Sequence, residues 1–164
     1  MQKRSGFTLI QLTIVIALLA ILTAAGLPNF LSWLPKYRLK SAARDLYSNL
    51  QLAKMSAIKA NKNCRVKYYK NPDRYTVDLL NKTMRLSDYR SGITFRGPNN
   101  QTFAVSTITF NSRGSSNSGY AYLANSGKTA YYRVGPLTSG AIKLQKWDGG
   151  TSWKWSANKN IFHW

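Results

Sequence analysis

Acidic side chains are scarce in this chain, and glutamate does not occur at all. Of its 164 residues, 24 are Lys or Arg and five are acidic, which leaves a formal net charge of +19. The only histidine, His163, stands next to the C-terminus. General acid–base catalysis usually needs a histidine or a carboxylate held near its partner. The composition therefore argues against an enzyme and favours attraction to anionic partners.

A single cysteine, Cys64, is present, so no intrachain disulfide can form. The shortage of His, Cys, Asp and Glu also leaves few ligands for a metal, and we expect neither a metal site nor a cofactor. Cys64 lies in a strand-like run, where a buried, unreactive thiol is expected. A disulfide to another chain is the alternative.

The longest apolar run lies near the N-terminus, from Phe7 to Leu27, and contains no charged residue. It has the length of an apolar helix that spans a bilayer, which is about 20 residues. Lys3 and Arg4 precede it, and the positive-inside rule then places the N-terminus in the cytoplasm. A secretory signal has a shorter apolar core, so the run indicates a single-pass membrane segment.

The start of this run carries a family motif. The segment KRSGFTLI, residues 3–10, is followed by the long apolar stretch and resembles the leader of type IV prepilins and type II secretion pseudopilins. The resemblance implies that a prepilin peptidase cuts between Gly6 and Phe7 and N-methylates Phe7. It also implies storage in the bacterial inner membrane with the head outside the cytoplasm, and assembly with other pilin or pseudopilin subunits through the N-terminal helix.

Gln11 departs from the family pattern. The family has a glutamate at this fifth mature position, whose carboxylate neutralises the amino terminus of a neighbouring subunit in the filament. Gln11 can accept a hydrogen bond but carries no charge, and an unpaired charge in an apolar core is unfavourable. Gln11 thus suggests a minor or tip subunit; the alternative is drift that assembly tolerates.

A helical period continues beyond the apolar run. Pro28 and Pro35 are predicted to kink or locally melt the helix. Pro28 matches a proline common in pilin helices, and the resemblance makes Gln11 and Pro28 the candidate assembly residues. Apolar residues then recur at spacings of three and four, as on one face of a helix: Leu39, Ala42, Ala43, Leu46, Leu50, Ala53, Ala57 and Ala60. The predicted order is a leader (1–6), a transmembrane and filament-core helix (7–28) and an amphipathic continuation (29–62).

From Asn63 the apolar period changes to two, which is typical of strands. Turn signals separate the predicted strands: Cys64–Tyr69, Arg74–Leu80, Ile93–Arg96, Thr107–Asn111, Gly119–Leu123, Thr129–Val134 and Ala141–Trp147. One helix followed by several short strands predicts an α+β fold. We expect a long N-terminal helix packed on an antiparallel β-sheet head, residues 63–164.

Three further segments, two in the predicted helix and one in the head, narrow the resemblance. Tyr37–Ala43, Leu50–Lys54 and Ile108–Gly114 resemble pseudopilin H (GspH) and the minor pilin FimT. The resemblance implies a low-copy subunit that primes or caps a filament. Type II secretion pseudopilus and type IV pilus both stay open.

Binding of DNA is an alternative function. FimT-like pilins implicated in DNA uptake carry Gly-Arg-x-Arg, and the matching stretch here, residues 140–143, reads Gly-Ala-Ile-Lys. The C-terminal tail adds tryptophans beside lysines, and aromatic rings can stack bases while cations hold phosphates. A buried pair closing the sheet is the competing interpretation of the tryptophans, and sugar binding is a third. The candidate anion-binding residues are Lys143, Lys146, Trp153, Lys154, Trp155 and Lys159.

Overall fold

The computed structural model describes residues 8–147, 149 and 155–156, with residues 25–32 and 155–156 described by their backbone alone. The chain divides into two compact units, Met1–Leu34 and Pro35–Trp164. One long helix, α1 (Leu9–Ala60), contributes to both. Its helical backbone continues through Pro28 and Pro35, so the expected local melting does not occur. The fixed φ of proline suits a helix, and each proline removes a single backbone donor.

The first unit contains the apolar part of α1. Its large side chains between Leu9 and Leu22 are 46–82% exposed. None of the helical stretches among the described residues combines the length and apolarity needed to cross a bilayer.

The second unit carries the strands in two antiparallel sheets, where a single sheet had been expected. In the described part of the chain the strands are β1 (Cys64–Lys70), β2 (Asp73–Val77), β3 (Lys82–Arg85), β4 (Thr94–Phe95), β5 (Thr107–Phe110), β6 (Ala121–Ala124), β7 (Tyr131–Pro136), β8 (Ile142–Trp147) and β9 (Trp155–Ser156). The first sheet has the order β3-β2-β1-β5 and the second β4-β6-β7-β8-β9. A short 3-10 helix, Leu86–Tyr89, links β3 to β4.

The β2–β3 hairpin differs from the sequence prediction. A strand was expected to continue to Leu80, but β2 ends at Val77. A turn follows in which Asn81 N donates to Asp78 O at 2.9 Å and Asn81 has φ +45°. Asparagine tolerates this left-handed conformation. The return strand β3 is largely exposed, so it lacks the apolar alternation that would have revealed it.

The core of the second unit lies between α1 and the sheets. Seven of the eight predicted apolar positions on α1 are buried, which confirms the helical period. Ala60, the eighth, is exposed because it is the last residue of the helix. Cys64 is buried and free, and burial raises the pKa of its thiol, as expected for an unreactive cysteine.

Polar contacts link α1 to the first sheet and to the 3-10 helix. Asn49 Nδ2 donates to Tyr75 Oη at 2.7 Å, and both residues are buried. Lys82 Nζ donates to Asn49 Oδ1 at 3.2 Å. One turn earlier in the helix, Asp45 Oδ2 accepts from Tyr89 Oη at 2.6 Å. These bonds satisfy polar groups that would be costly to bury alone.

Candidate assembly and binding surfaces

The first candidate surface is the apolar stretch of α1. Ten large aliphatic side chains between Leu9 and Leu22 are exposed in the isolated chain. A helix that is apolar on all sides is normally buried in a membrane or among other chains. This stretch therefore leaves an apolar surface uncovered in the isolated chain.

Gln11 is part of a capping box at the start of this helix. Gln11 Oε1 accepts from Thr8 N at 3.1 Å and from Thr8 Oγ1 at 3.2 Å, while Gln11 N donates to Thr8 Oγ1 at 3.4 Å. Because α1 starts at Leu9, Thr8 is the N-cap and Gln11 is the third helical residue. The pattern Thr-x-x-Gln is the sequence signal for such a cap. The sequence prediction considered only the missing carboxylate at Gln11 and did not include the cap.

The predicted processing residues Gly6 and Phe7 lie outside the described residues, so cleavage and methylation stay predictions. Pro28 lies within α1, and its backbone alone is described. Its expected part in assembly is likewise untested.

The candidate basic residues do not form one patch in the described part of the head. Lys143 and Lys146 are both exposed on β8, but they lie an odd number of residues apart and so face opposite sides of the sheet. The backbone of Trp155 pairs with Trp147 across the β8–β9 hairpin. Trp153, Lys154 and Lys159 lie outside the described residues. DNA binding by this set stays a prediction.

Lys146 instead lines a pocket with two lysines that sequence reasoning did not connect. They are Lys36 of α1 and Lys128 of the β6–β7 turn. The pocket has a volume of about 380 Å³, and its other lining residues are Thr129, Ala130, Tyr131, Trp147 and Gly149. The three lysines are far apart in the chain, so spacing gave no signal for them.

Gly140, the glycine of the residue 140–143 stretch, has a structural role. A Cβ atom at Gly140 would lie 1.8 Å from Gly114 O, and Gly140 has φ +76°. Gly140 O accepts from Lys54 Nζ at 3.1 Å. Only glycine allows this backbone approach and this conformation together. Ala141 and Lys143 are exposed beside it.

The loop before Gly114 is held by its own side chains. Asn111 Oδ1 accepts from the backbone N of Arg113 at 3.0 Å and of Ser115 at 3.1 Å, and Asn111 Nδ2 donates to Ser115 Oγ at 2.6 Å. This is part of the Ile108–Gly114 segment that carried the family resemblance. The residues that carry the resemblance therefore hold the loop in which Gly114 contacts Gly140.

Among the described residues, no three His, Cys, Asp or Glu side chains cluster as a metal site requires.

Two solved structures resemble this fold. The minor pseudopilin EpsH from the type 2 secretion system of Vibrio cholerae matches with a TM-score of 0.53 and 16% identity, over 65% of this chain and 95% of that one. The type IV minor pilin FimU of Pseudomonas aeruginosa matches with a TM-score of 0.54 and 19% identity, over 67% of this chain and 90% of that one. At these identities the likeness shows the fold.

The family follows from the sequence of the head. No curated protein sequence matches the chain significantly. Residues 42–140, well over half of the chain, match the family described as Type II transport protein GspH. This match covers the buried face of α1 from Ala42 onward, both sheets as far as β7 and the Gly114–Gly140 junction. The chain therefore belongs to the GspH family.

Proposed function

We propose that this chain is a minor subunit of a pilus-like filament, of the type II secretion pseudopilus or type IV pilus kind. The observation that carries the proposal is the exposed apolar stretch of α1, joined to a head of the GspH family. Before assembly the stretch is stored in the inner membrane, and in the filament it packs against the helices of other subunits. The charge-free run from Phe7 to Leu27 supports membrane storage.

Maturation precedes assembly in this proposal. A prepilin peptidase removes residues 1–6 and methylates Phe7, as the leader motif suggests. Gln11 supports a minor position, because it brings no carboxylate to neutralise a neighbour's amino terminus. If the subunit is present in few copies, the major subunits still supply most of the contacts in which a carboxylate neutralises an amino terminus.

Incorporation into filaments tests the structural role. In a native host that lacks the gene, complementation with Val15→Lys places a charge within the apolar stretch, at a cost of roughly 2.5–3.5 kcal/mol or more in an apolar surrounding. We expect this variant to be missing from sheared filaments and to fail in secretion or pilus assembly. Thr83→Lys adds the same charge on the exposed strand β3 and serves as the matched control. Wild-type incorporation of Val15→Lys would refute the proposal.

Intact mass tests maturation separately. Co-expression with the prepilin peptidase should yield residues 7–164 plus one methyl group. Gly6→Val should leave the leader attached, whereas Ser5→Ala should be processed normally. A chain that retains residues 1–6 in the presence of active peptidase would remove this part of the proposal.

A further inference from the structure

The pocket formed by Lys36, Lys128 and Lys146, here called the lysine pocket, is unexplained by filament assembly. Its lysines come from α1, from a turn and from β8. Each is exposed, and none of the three side chains forms a hydrogen bond or ion pair with a described residue. No acidic side chain is among the described lining residues; Asp148, next to Trp147 in sequence, lies outside the described residues. Three like charges around one cavity favour an anion.

The turn that presents Lys128 is rigidly built. Lys128 has φ +52°, and its N donates to Asn125 O at 2.9 Å. The buried Asn125 accepts from Thr129 N at 3.0 Å and from Ala130 N at 3.1 Å through Oδ1. Little loop ordering therefore remains to oppose binding, which is the advantage of a preorganised site.

The position of the lysine pocket in the chain points to a membrane surface. Lys36 is the second residue of the second unit and the first charged residue after Arg4. Trp33 and Tyr37, on either side of it in sequence, are 60% and 55% exposed. Exposed Trp and Tyr beside cations are typical of the membrane–water interface.

We propose that the lysine pocket holds the phosphate of an anionic phospholipid headgroup while the subunit is stored in the membrane. The proposal rests on the membrane storage argued under the proposed function. The lysines supply charge to the phosphate, and Tyr131 and Trp147 supply amphipathic walls suited to the headgroup region. Binding at this site would hold the head against the bilayer until the subunit is extracted into a filament.

Lysine acetylation of the full chain, read residue by residue by mass spectrometry, tests the proposal. The chain is placed in nanodiscs of neutral phosphatidylcholine or of phosphatidylglycerol. Lys36, Lys128 and Lys146 should be acetylated about fivefold more slowly in phosphatidylglycerol, the effect expected for one lysine beside an anionic surface. Lys67, exposed on β1, should react equally in both.

A paired variant separates a binding pocket from mere nearness to the bilayer. Lys128→Gln with Lys146→Gln should abolish the protection of Lys36. Arg65→Gln with Lys67→Gln removes the same charge from β1 and should leave that protection intact. Loss of the Lys36 protection in both paired variants, or in neither, would overturn the proposal.

Three further measurements identify the ligand and show whether a negative result refutes the pocket alone or membrane storage as well. Inorganic phosphate or a short oligonucleotide, added to phosphatidylcholine nanodiscs, should leave Lys36 reactive; full protection by either would assign the pocket to that ligand and overturn the lipid proposal. Equal acetylation in both lipids, with the chain stably inserted, would refute the pocket alone. Failure to insert into either nanodisc would refute membrane storage and this proposal together.

Discussion

At the scale of single residues, Gln11 caps the start of α1, and its part in assembly is a proposal. Its amide oxygen accepts from the N-cap residue Thr8, and the carboxylate of a glutamate could accept the same bonds. Capping therefore does not explain why glutamine stands here. The absence of charge is what distinguishes Gln11 from the glutamate of the family pattern.

Substitution of Gln11 should separate these roles. Gln11→Glu should retain the cap, whereas Gln11→Ala should lose it and weaken the helix start by about 0.5–1 kcal/mol. Hydrogen exchange of amides 8–12 in micelles measures this fraying. Thr13→Ala is the control, because Thr13 Oγ1 bonds only to carbonyls within the helix. Equal exchange in Gln11→Ala and wild type would contradict the capping role.

Gly140 offers a second prediction at this scale. Gly140→Ala adds a Cβ against Gly114 O, so the backbone must shift, and we expect a loss of about 3 kcal/mol or more in the free energy of unfolding. Gly149 also has a positive φ, +86°, but an added Cβ would have no neighbour within 4 Å in the described part of the chain. Gly149→Ala should therefore cost only about 1–2 kcal/mol. Urea denaturation compares the two, and similar losses would show that the close approach is unimportant.

At the scale of elements, α1 and the first sheet are joined by apolar packing and by the Asn49–Tyr75 hydrogen bond. The helix contributes mostly alanine and leucine to this contact, and the small alanines allow the strands to approach closely. The bond is buried, so neither partner can exchange it for water. It therefore fixes the position of the helix on the sheet.

Tyr75→Phe should destabilise the head by about 1–3 kcal/mol, because the Asn49 amide then stays buried without its acceptor. Adding Asn49→Ala should cost less in this background than in the wild type, and a double-mutant cycle by urea denaturation measures the coupling. Tyr89→Phe should lower the free energy of unfolding less than Tyr75→Phe does, because its partner Asp45 is only partly buried. Additive effects of the Asn49 and Tyr75 substitutions would contradict the coupling.

At the scale of the whole molecule, four tyrosines make the head sensitive to alkali. Burial raises the pKa of Tyr68, Tyr75, Tyr89 and Tyr132 in the folded chain. Below pH 10 these tyrosines are neutral in both states, so their contribution to stability is fully present. Above the unfolded pKa of about 10, the unfolded chain loses protons that the folded chain retains. Stability should therefore fall as pH rises above 10.

Tyr68→Phe isolates one contribution. Tyr68 Oη is buried without a hydrogen-bond partner among the described residues, while its ring packs on Phe95 and Phe103. The variant keeps the ring, so at pH 7 we expect stability equal to wild type or about 1 kcal/mol higher. Above pH 10, urea denaturation should show a pH slope shallower by about 1.4 kcal/mol per unit. An unchanged slope would show that Tyr68 ionises freely in the folded head.

The sequence predictions were accurate where a feature depends on neighbouring residues and failed where it depends on residues far apart in the chain. The buried face of α1 and seven of the strands were predictable, because apolar period is a local property of neighbouring residues. The strand β3 was missed because its exposed residues lack that period. The division of the strands into two sheets was missed because pairing between distant strands leaves no periodic signal.

The sequence by itself determined the leader motif, the charge-free run, the helix-then-strands order and the surplus of positive charge. Each depends on composition or on the spacing of near neighbours. Only the tertiary structure decided that Gly140 meets Gly114 and that Lys36, Lys128 and Lys146 line one pocket. These depend on how distant segments pack, and packing is set by the whole core at once.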